Sequence, residues 1–143
     1  DSLRNVISAL RPLVQGRVLV VFGCGGDRDR GKRPLMGRAV EELADVAILT
    51  SDNPRSEDPR RILDEVVAGM TSGKGGDAAD PSRRMVIPDR EEAIFHAIRA
   101  ARPGDVVLLA GKGHEHYQIL KDVVKPFDDR EVAIRAITGA ARV

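Results

Sequence analysis

The run Val18-Leu19-Val20-Val21-Phe22 is apolar at every position. A strand with one wet face alternates apolar and polar residues, so this run reads as a strand buried on both faces. Such a strand needs cover above and below it. Helix-like segments supply that cover. Leu3, Ile7, Leu10 and Val14 recur at helical spacing, as do Met36, Val40 and Leu43, and Ile62, Val66 and Met70. Further strand-like runs lie at Val46–Thr50, Met85–Ile87 and Asp105–Ala110. Asp89 stands as a cap before a helix carrying Ala93, Ile94, Ala97, Ile98 and Ala101. Gln118–Leu120 and Val123–Val124 could pair as a hairpin turning at Lys121-Asp122. Asp128 opens a last helix, with Ala133, Ile134 and Ile137 expected on its apolar face.

Strands separated by helices imply an α/β fold with a mostly parallel sheet, flanking helices and an antiparallel hairpin at one edge. The 143 residues are about one domain's worth. No repeat or linker divides them, so residues 1–143 read as a single domain. Residues 71–82, rich in Gly, Ala, Asp and Ser, read as a flexible surface loop.

Composition narrows the function. The chain carries 23 basic and 22 acidic residues, for a net charge of +1. That argues against a nucleic-acid or membrane partner held by bulk charge. One cysteine, Cys24, excludes an internal disulfide and fits a reducing compartment. The first residue is Asp rather than Met, which is expected of a chain processed or excised from something longer.

In parallel α/β sheets, ligands bind beyond the carboxyl ends of the strands. Three loops fall there, at 23–34, 51–59 and 111–117. Gly23 and Gly25 match the first two glycines of a dinucleotide fingerprint, but Arg28 occupies the third position, where close helix–strand packing needs a small residue. A dinucleotide-binding module remains the alternative, with Asp52 near the place of a ribose-binding acid. Cys24 and Arg30 have the spacing of a cysteine phosphatase, yet Asp27 and Asp29 inside the loop would repel thiolate and phosphate alike. His114 and His116 lack an evident third metal ligand. Lys74 and Lys112 follow glycines outside any P-loop pattern, so no nucleotide-hydrolysing machinery is evident. Arg28, Arg30, Lys32, Arg33 and Arg55, with Asp52 and Glu115 opposite, offer both charge signs in one cleft. That set suits an amino-acid-like zwitterion.

Together, Gly23-Cys24-Gly25-Gly26-Asp27-Arg28-Asp29-Arg30-Gly31-Lys32-Arg33-Pro34, Asp52-Asn53-Pro54-Arg55 and Gly111-Lys112-Gly113-His114-Glu115 resemble three signatures of the Mur ligases, and specifically of the diaminopimelate-adding ones. The likeness runs over the whole chain. Asp1-Ser2 resembles the end of the family's interdomain segment. The resemblance implies the last of three domains in a bacterial cytoplasmic ligase of peptidoglycan synthesis, with a Rossmann-like fold. The implied reaction is ATP-dependent amide formation between UDP-MurNAc-L-Ala-D-Glu and meso-diaminopimelate. ATP and magnesium would be bound mainly by the central domain, and this chain alone would be inactive. By motif, Asn53, Arg55 and Arg28 would bind carboxylate, while the Gly111 carbonyl and Glu115 would take the distal ammonium. Asp52 and Pro54 belong to the same recognition motif.

Overall fold

The structure is a computed structural model that describes residues 2–26, 29–70, 83–111, 117–120 and 123–139. The expected surface loop at 71–82 lies outside these residues. So do Arg28, the Lys121-Asp122 turn and Lys112 to His116, with Glu115 among them.

Helix α1 spans Ser2–Leu10 and passes through a 3₁₀ turn into strand β1, Val18–Phe22. There follow α2 (Lys32–Leu43), β2 (Val46–Leu49), α3 (Pro59–Gly69), β3 (Arg84–Val86), α4 (Arg90–Ala100) and β4 (Val106–Leu109). The last elements are β5 (Tyr117–Leu120), β6 (Val123–Pro126) and α5 (Asp129–Thr138). The helix starts are written locally. Asp58, Asp89 and Asp128 each accept hydrogen bonds from backbone N–H groups of the first turn that follows.

Strands β3-β2-β1-β4 form one sheet, and every pair in it is parallel. All five residues of β1 are buried, and its alternation divides the core in two. Val18, Val20 and Phe22 pack with Ile7, Val40, Leu63, Val66 and Met70, on the side covered by α1, α2 and α3. Leu19 and Val21 pack with Ile94, Phe95, Phe127, Val132 and Ala136, on the side covered by α4 and α5. Each such side chain contributes roughly 1.5–3 kcal/mol by leaving water, which is why the central strand tolerates no polar position.

Two expectations change. The hairpin β5-β6 is antiparallel as expected, but it forms a sheet of its own and adds no strand to the parallel one. Its β5 strand is tied instead to the loop after β2. On α5 the buried face is Asp129, Val132 and Ala136, while Ile134 and Ile137 are 51% and 71% exposed. The helix turns its smaller residues toward α4, where Arg135 donates to Glu91 at 3.0 Å.

Candidate functional site

The site is built where β1, β2 and β4 end. The chain leaves β1 at one side of the sheet and β4 at the other side of the same crevice, which is the topological switch point of this strand order. Backbone bonds carry the ladder slightly past the strands: Thr50 N donates to Phe22 O at 2.8 Å, and Ala110 N to Val21 O at 2.9 Å.

The glycines after β1 serve contact between loops. A Cβ on Gly23 would lie 2.4 Å from Thr50 O, and one on Gly26 would lie 1.7 Å from Pro54 O. Gly26 N donates to Asn53 O at 2.7 Å. The loop is therefore flattened onto the Asp52-Asn53-Pro54-Arg55 segment. In a dinucleotide site those glycines would instead admit a pyrophosphate at the helix start. Here α2 begins only at Lys32.

Arg55 stands at φ 54°, the only non-glycine residue with positive φ among the described residues. Side chains seldom adopt this backbone, and where they do a local constraint holds them. Three bonds do so here. Arg55 N donates to Ile119 O at 3.0 Å, and its Nη1 donates to Gly26 O at 2.9 Å and Asn53 O at 3.4 Å. The guanidinium is thus laid across the glycine loop and half-exposed. Asn53 is 1% exposed, and its Oδ1 accepts from Ile119 N at 2.8 Å. Gln118 Nε2 donates to Asp52 O at 2.8 Å. Strand β5 thereby clamps the whole motif along one edge. Gly111, at φ 109°, ends β4 in a conformation that favours glycine.

These loops enclose an open cleft of about 450 Å³, walled by Gly23 to Gly25, Asp29, Lys32, Met36, Asp52 and Gly111. An apolar cleft of about 300 Å³ adjoins it, lined by Phe22, Met36 and Leu108 to Ala110 among others. Of the expected contacts, Asp52 and Gly111 line this cleft, while Asn53, Pro54 and Arg55 continue the Asp52 loop outside that lining. Arg28 and Glu115 lie outside the described residues.

The cationic set sorts itself by partner. Arg33 belongs to α2 and is 1% exposed, where the sequence suggested a loop cation of the binding cleft. It donates to Glu57 at 2.6 Å, to Glu65 at 2.9 Å and to Gly25 O at 3.1 Å. Arg30 donates to the same Glu65 at 2.5 Å. Hydrogen bonds from Arg30 and then Arg33 pull the Glu65 carboxyl down to about 2, while Glu57 raises Arg33 further above its already high value. Both arginines are thus engaged in bracing α2, α3 and the glycine loop. Burial pushes the Cys24 thiol up to about 11, against a smaller opposing effect of Arg33, which favours the protonated thiol rather than the thiolate a nucleophile needs. Its Sγ lies 3.3 Å from Met36 Sδ.

Arg90 belongs to none of the motifs above. It is 1% exposed and its Nε and Nη2 each meet an Asp129 oxygen at 2.7 Å. The same guanidinium donates to Ser51 O and to Ala110 O, both at 3.1 Å. One signal existed. Arg90 is the first residue of α4, and cations are disfavoured at a helix N-terminus unless something specific holds them.

Comparison with known proteins gives the chain its family. The sequence model of the family described as "Mur ligase, glutamate ligase domain" matches residues 1–113. The chain belongs to the Mur ligases. This Mur ligase domain is 51% identical over 142 residues to a UDP-N-acetylmuramoyl-L-alanyl-D-glutamate–2,6-diaminopimelate ligase of Syntrophomonas wolfei, covering 99% of this chain and 28% of that protein. It is 58% identical over 138 residues to the ligase of the same name from a Nostoc species, covering 96% of this chain and 26% of that protein. A solved structure of a ligase of that name superposes with a TM-score of 0.87 at 45% identity, over 97% of this chain and 27% of that one. The Mur ligase domain here therefore spans about a quarter of the length of those relatives.

Proposed function

We propose that this chain, residues 1–143, is the amino-acid-binding domain of a Mur ligase that adds meso-diaminopimelate to UDP-MurNAc-L-Ala-D-Glu. The observation that carries the reading is the Asp52-Asn53-Pro54-Arg55 loop. It is held by the glycine loop and by β5, with Arg55 in a left-handed backbone, and its first residue, Asp52, lines the cleft at the sheet's switch point. Relatives at 51% and 58% identity bear the name of such a ligase.

ATP supplies the phosphoryl group that activates the dipeptide's terminal carboxylate, and the amino acid's nitrogen then displaces phosphate to form the amide. Asp29 and Asp52 line this cleft, and Arg33 is already shared by two carboxylates. With Lys32 facing both carboxylates, the cleft holds no surplus of positive charge for a polyphosphate, and we assign ATP with its magnesium to another part of the enzyme. The UDP-sugar dipeptide belongs there too, and the enzyme's setting is the bacterial cytoplasm.

This chain's share is recognition and positioning. Arg55, with Asn53 and Arg28, holds the carboxylate of the non-reacting end. The Gly111 carbonyl and Glu115 receive the ammonium beside it, with Asp52 adding negative charge and Pro54 setting the turn. L-Lysine lacks that second carboxylate and would leave a guanidinium unmatched, which is how polar sites discriminate strongly. Closing the domain over the reacting centre also keeps water from the activated carboxylate.

The test is amide formation by the full-length ligase carrying this domain. Product should form with meso-diaminopimelate far faster than with L-lysine, and the 143-residue chain alone should release no phosphate from ATP. Equal use of the two amino acids would overturn the reading.

A further inference from the structure

Arg90 lies behind the cleft and out of its reach, yet it touches the root of both loops that form it. Ser51 precedes Asp52, and Ala110 precedes Gly111. Their carbonyls accept from two nitrogens of one guanidinium, 3.1 Å each. The Nε–Nη2 edge of that guanidinium is held by both oxygens of Asp129, 2.7 Å each, at the start of α5, so Nη2 serves Asp129 and Ala110 O together. A guanidinium is planar and rigid, so these four bonds fix the two carbonyls relative to each other and to the helix layer.

We infer that Arg90 is a positioning residue for the amino-acid site, setting the separation between the Asp52–Arg55 loop and the Gly111 loop and so the fit of the site to the carboxylate and ammonium carried by the substrate's distal carbon. The inference rests on the proposed function, in which those two loops hold the two charged groups of the substrate's distal end. It does not need Arg90 for the fold as such. Arg135 donates to Glu91 at 3.0 Å, which ties α4 to α5 independently, and the apolar layer of Ile94, Phe95, Val132 and Ala136 lies between them.

Lysine at position 90 keeps the charge opposite Asp129 but presents a point donor that cannot span both carbonyls and a carboxylate in one plane. The experiment compares Arg90→Lys with Arg17→Lys in the full-length ligase. Arg17 has the same chemistry at the far end of the sheet, where its guanidinium donates to Asp105 at 2.9 Å and to Ala100 O at 3.0 Å. Michaelis constants are measured for meso-diaminopimelate, ATP and the UDP-dipeptide, at a temperature where both variants are folded. Arg90→Lys should raise the constant for diaminopimelate about 10-fold or more, as expected for a misplaced contact, with the other two unchanged. It should also narrow the preference for meso- over LL-diaminopimelate, which differ in how carboxylate and ammonium are arranged on the distal carbon, while Arg17→Lys changes neither. Asp129→Asn, which keeps Arg90 but loosens its anchor, should move the same constant in the same direction, and decides the matter if Arg90→Lys does not fold. A wild-type constant for diaminopimelate in the folded Arg90 variant, or an equal rise in Arg17→Lys, overturns the inference. A wild-type enzyme that does not use diaminopimelate at all overturns the proposed function instead.

Discussion

The two ends of the parallel sheet use the same ion pairs for opposite purposes. At the amino end, Asp45 and Asp105 stand just before β2 and β4 and reach across to the start of β1. Asp45 accepts from Val18 N at 2.8 Å and Arg11 at 2.7 Å, and Asp105 accepts from Arg17 N at 2.7 Å and Arg102 N at 2.9 Å. Carboxylates there pin backbone to backbone and close the end. At the carboxyl end the carboxylates of Glu57, Glu65 and Asp129 meet arginine side chains, and those arginines reach backbone carbonyls on the loops. Long guanidinium arms hold the loops apart, and a cleft of about 450 Å³ remains between them. Arginines reach backbone carbonyls at both ends, as Arg11 does to Leu43 O and Arg17 to Ala100 O; what sets the amino end apart is that its carboxylates also tie the start of β1 to the chain before β2 and β4.

That contrast can be broken at its strongest point first. Arg90→Met leaves the Asp129 charge buried without its partner, a change that typically costs about 3–5 kcal/mol. Arg17→Met should cost much less, because Asp105 keeps two backbone donors. Urea unfolding of the two variants measures the difference, and equal losses would erase the distinction between the ends.

Paired glycines give the next largest effect. Gly26→Ala drives a Cβ to 1.7 Å from Pro54 O, so one loop must shift away from the other. Gly16→Ala drives one to 2.4 Å from Asp105 Oδ1 and 2.8 Å from Gly104 C. Overpacking of this kind costs about 1–3 kcal/mol in either place. Only Gly26→Ala should raise the Michaelis constant for diaminopimelate, by about 10-fold or more, since it alone moves the site.

Acid should loosen both ends. The Asp105 carboxyl is held down from 3.8 to about 2, first by the Arg17 and Arg102 N–H groups, and Glu65 from 4.5 to about 2 by Arg30 and Arg33. Folded values below unfolded ones mean that the stabilisation is present above the unfolded values. It is lost as pH falls from about 5 toward 2. Asp105→Asn and Glu65→Gln should each flatten the decline of unfolding free energy over that range. The smallest effect belongs to the exposed pair Arg38–Glu42, 3.0 Å apart on one helix face. Arg38→Gln should leave the melting temperature within experimental scatter, since such pairs contribute little.

Much of the sheet was legible because its signals are local. Val18–Phe22 declares a doubly buried strand by having no polar position, and Asp89 and Asp128 declare helix starts by standing just ahead of apolar periodicity. The placement of the three loops follows from strand order. What was not legible depends on partners far away in sequence. Arg33 reads as one more loop cation until Glu57 and Glu65 are seen beside it, and Arg90 reads as a helix surface residue until Asp129 closes on it. On α5, Ile134 and Ile137 outweigh Val132 and Ala136 in any hydropathy pattern. The buried stripe is nevertheless chosen by the space left against α4, which takes the smaller pair. The hairpin's neighbours were hidden for the same reason: the bonds from Gln118 and Ile119 to the Asp52–Arg55 loop join segments more than a helix and a strand apart.

In the proposed site, the open end of the sheet reads the substrate's distal carboxylate through Arg55. The measurement is the ratio of kcat/KM for meso-diaminopimelate over L-lysine in the full-length ligase, wild type against Arg55→Ala and Arg55→Lys. A charged hydrogen-bonded contact of this kind contributes roughly 1.5–3 kcal/mol, or about 10- to 150-fold in the ratio. Arg55→Ala should lose selectivity on that scale, and Arg55→Lys should lose part of it, since an ammonium cannot hold a carboxylate through two parallel bonds. A ratio unchanged in Arg55→Ala, at a melting temperature near that of the wild type, would contradict the account and remove this loop from substrate recognition.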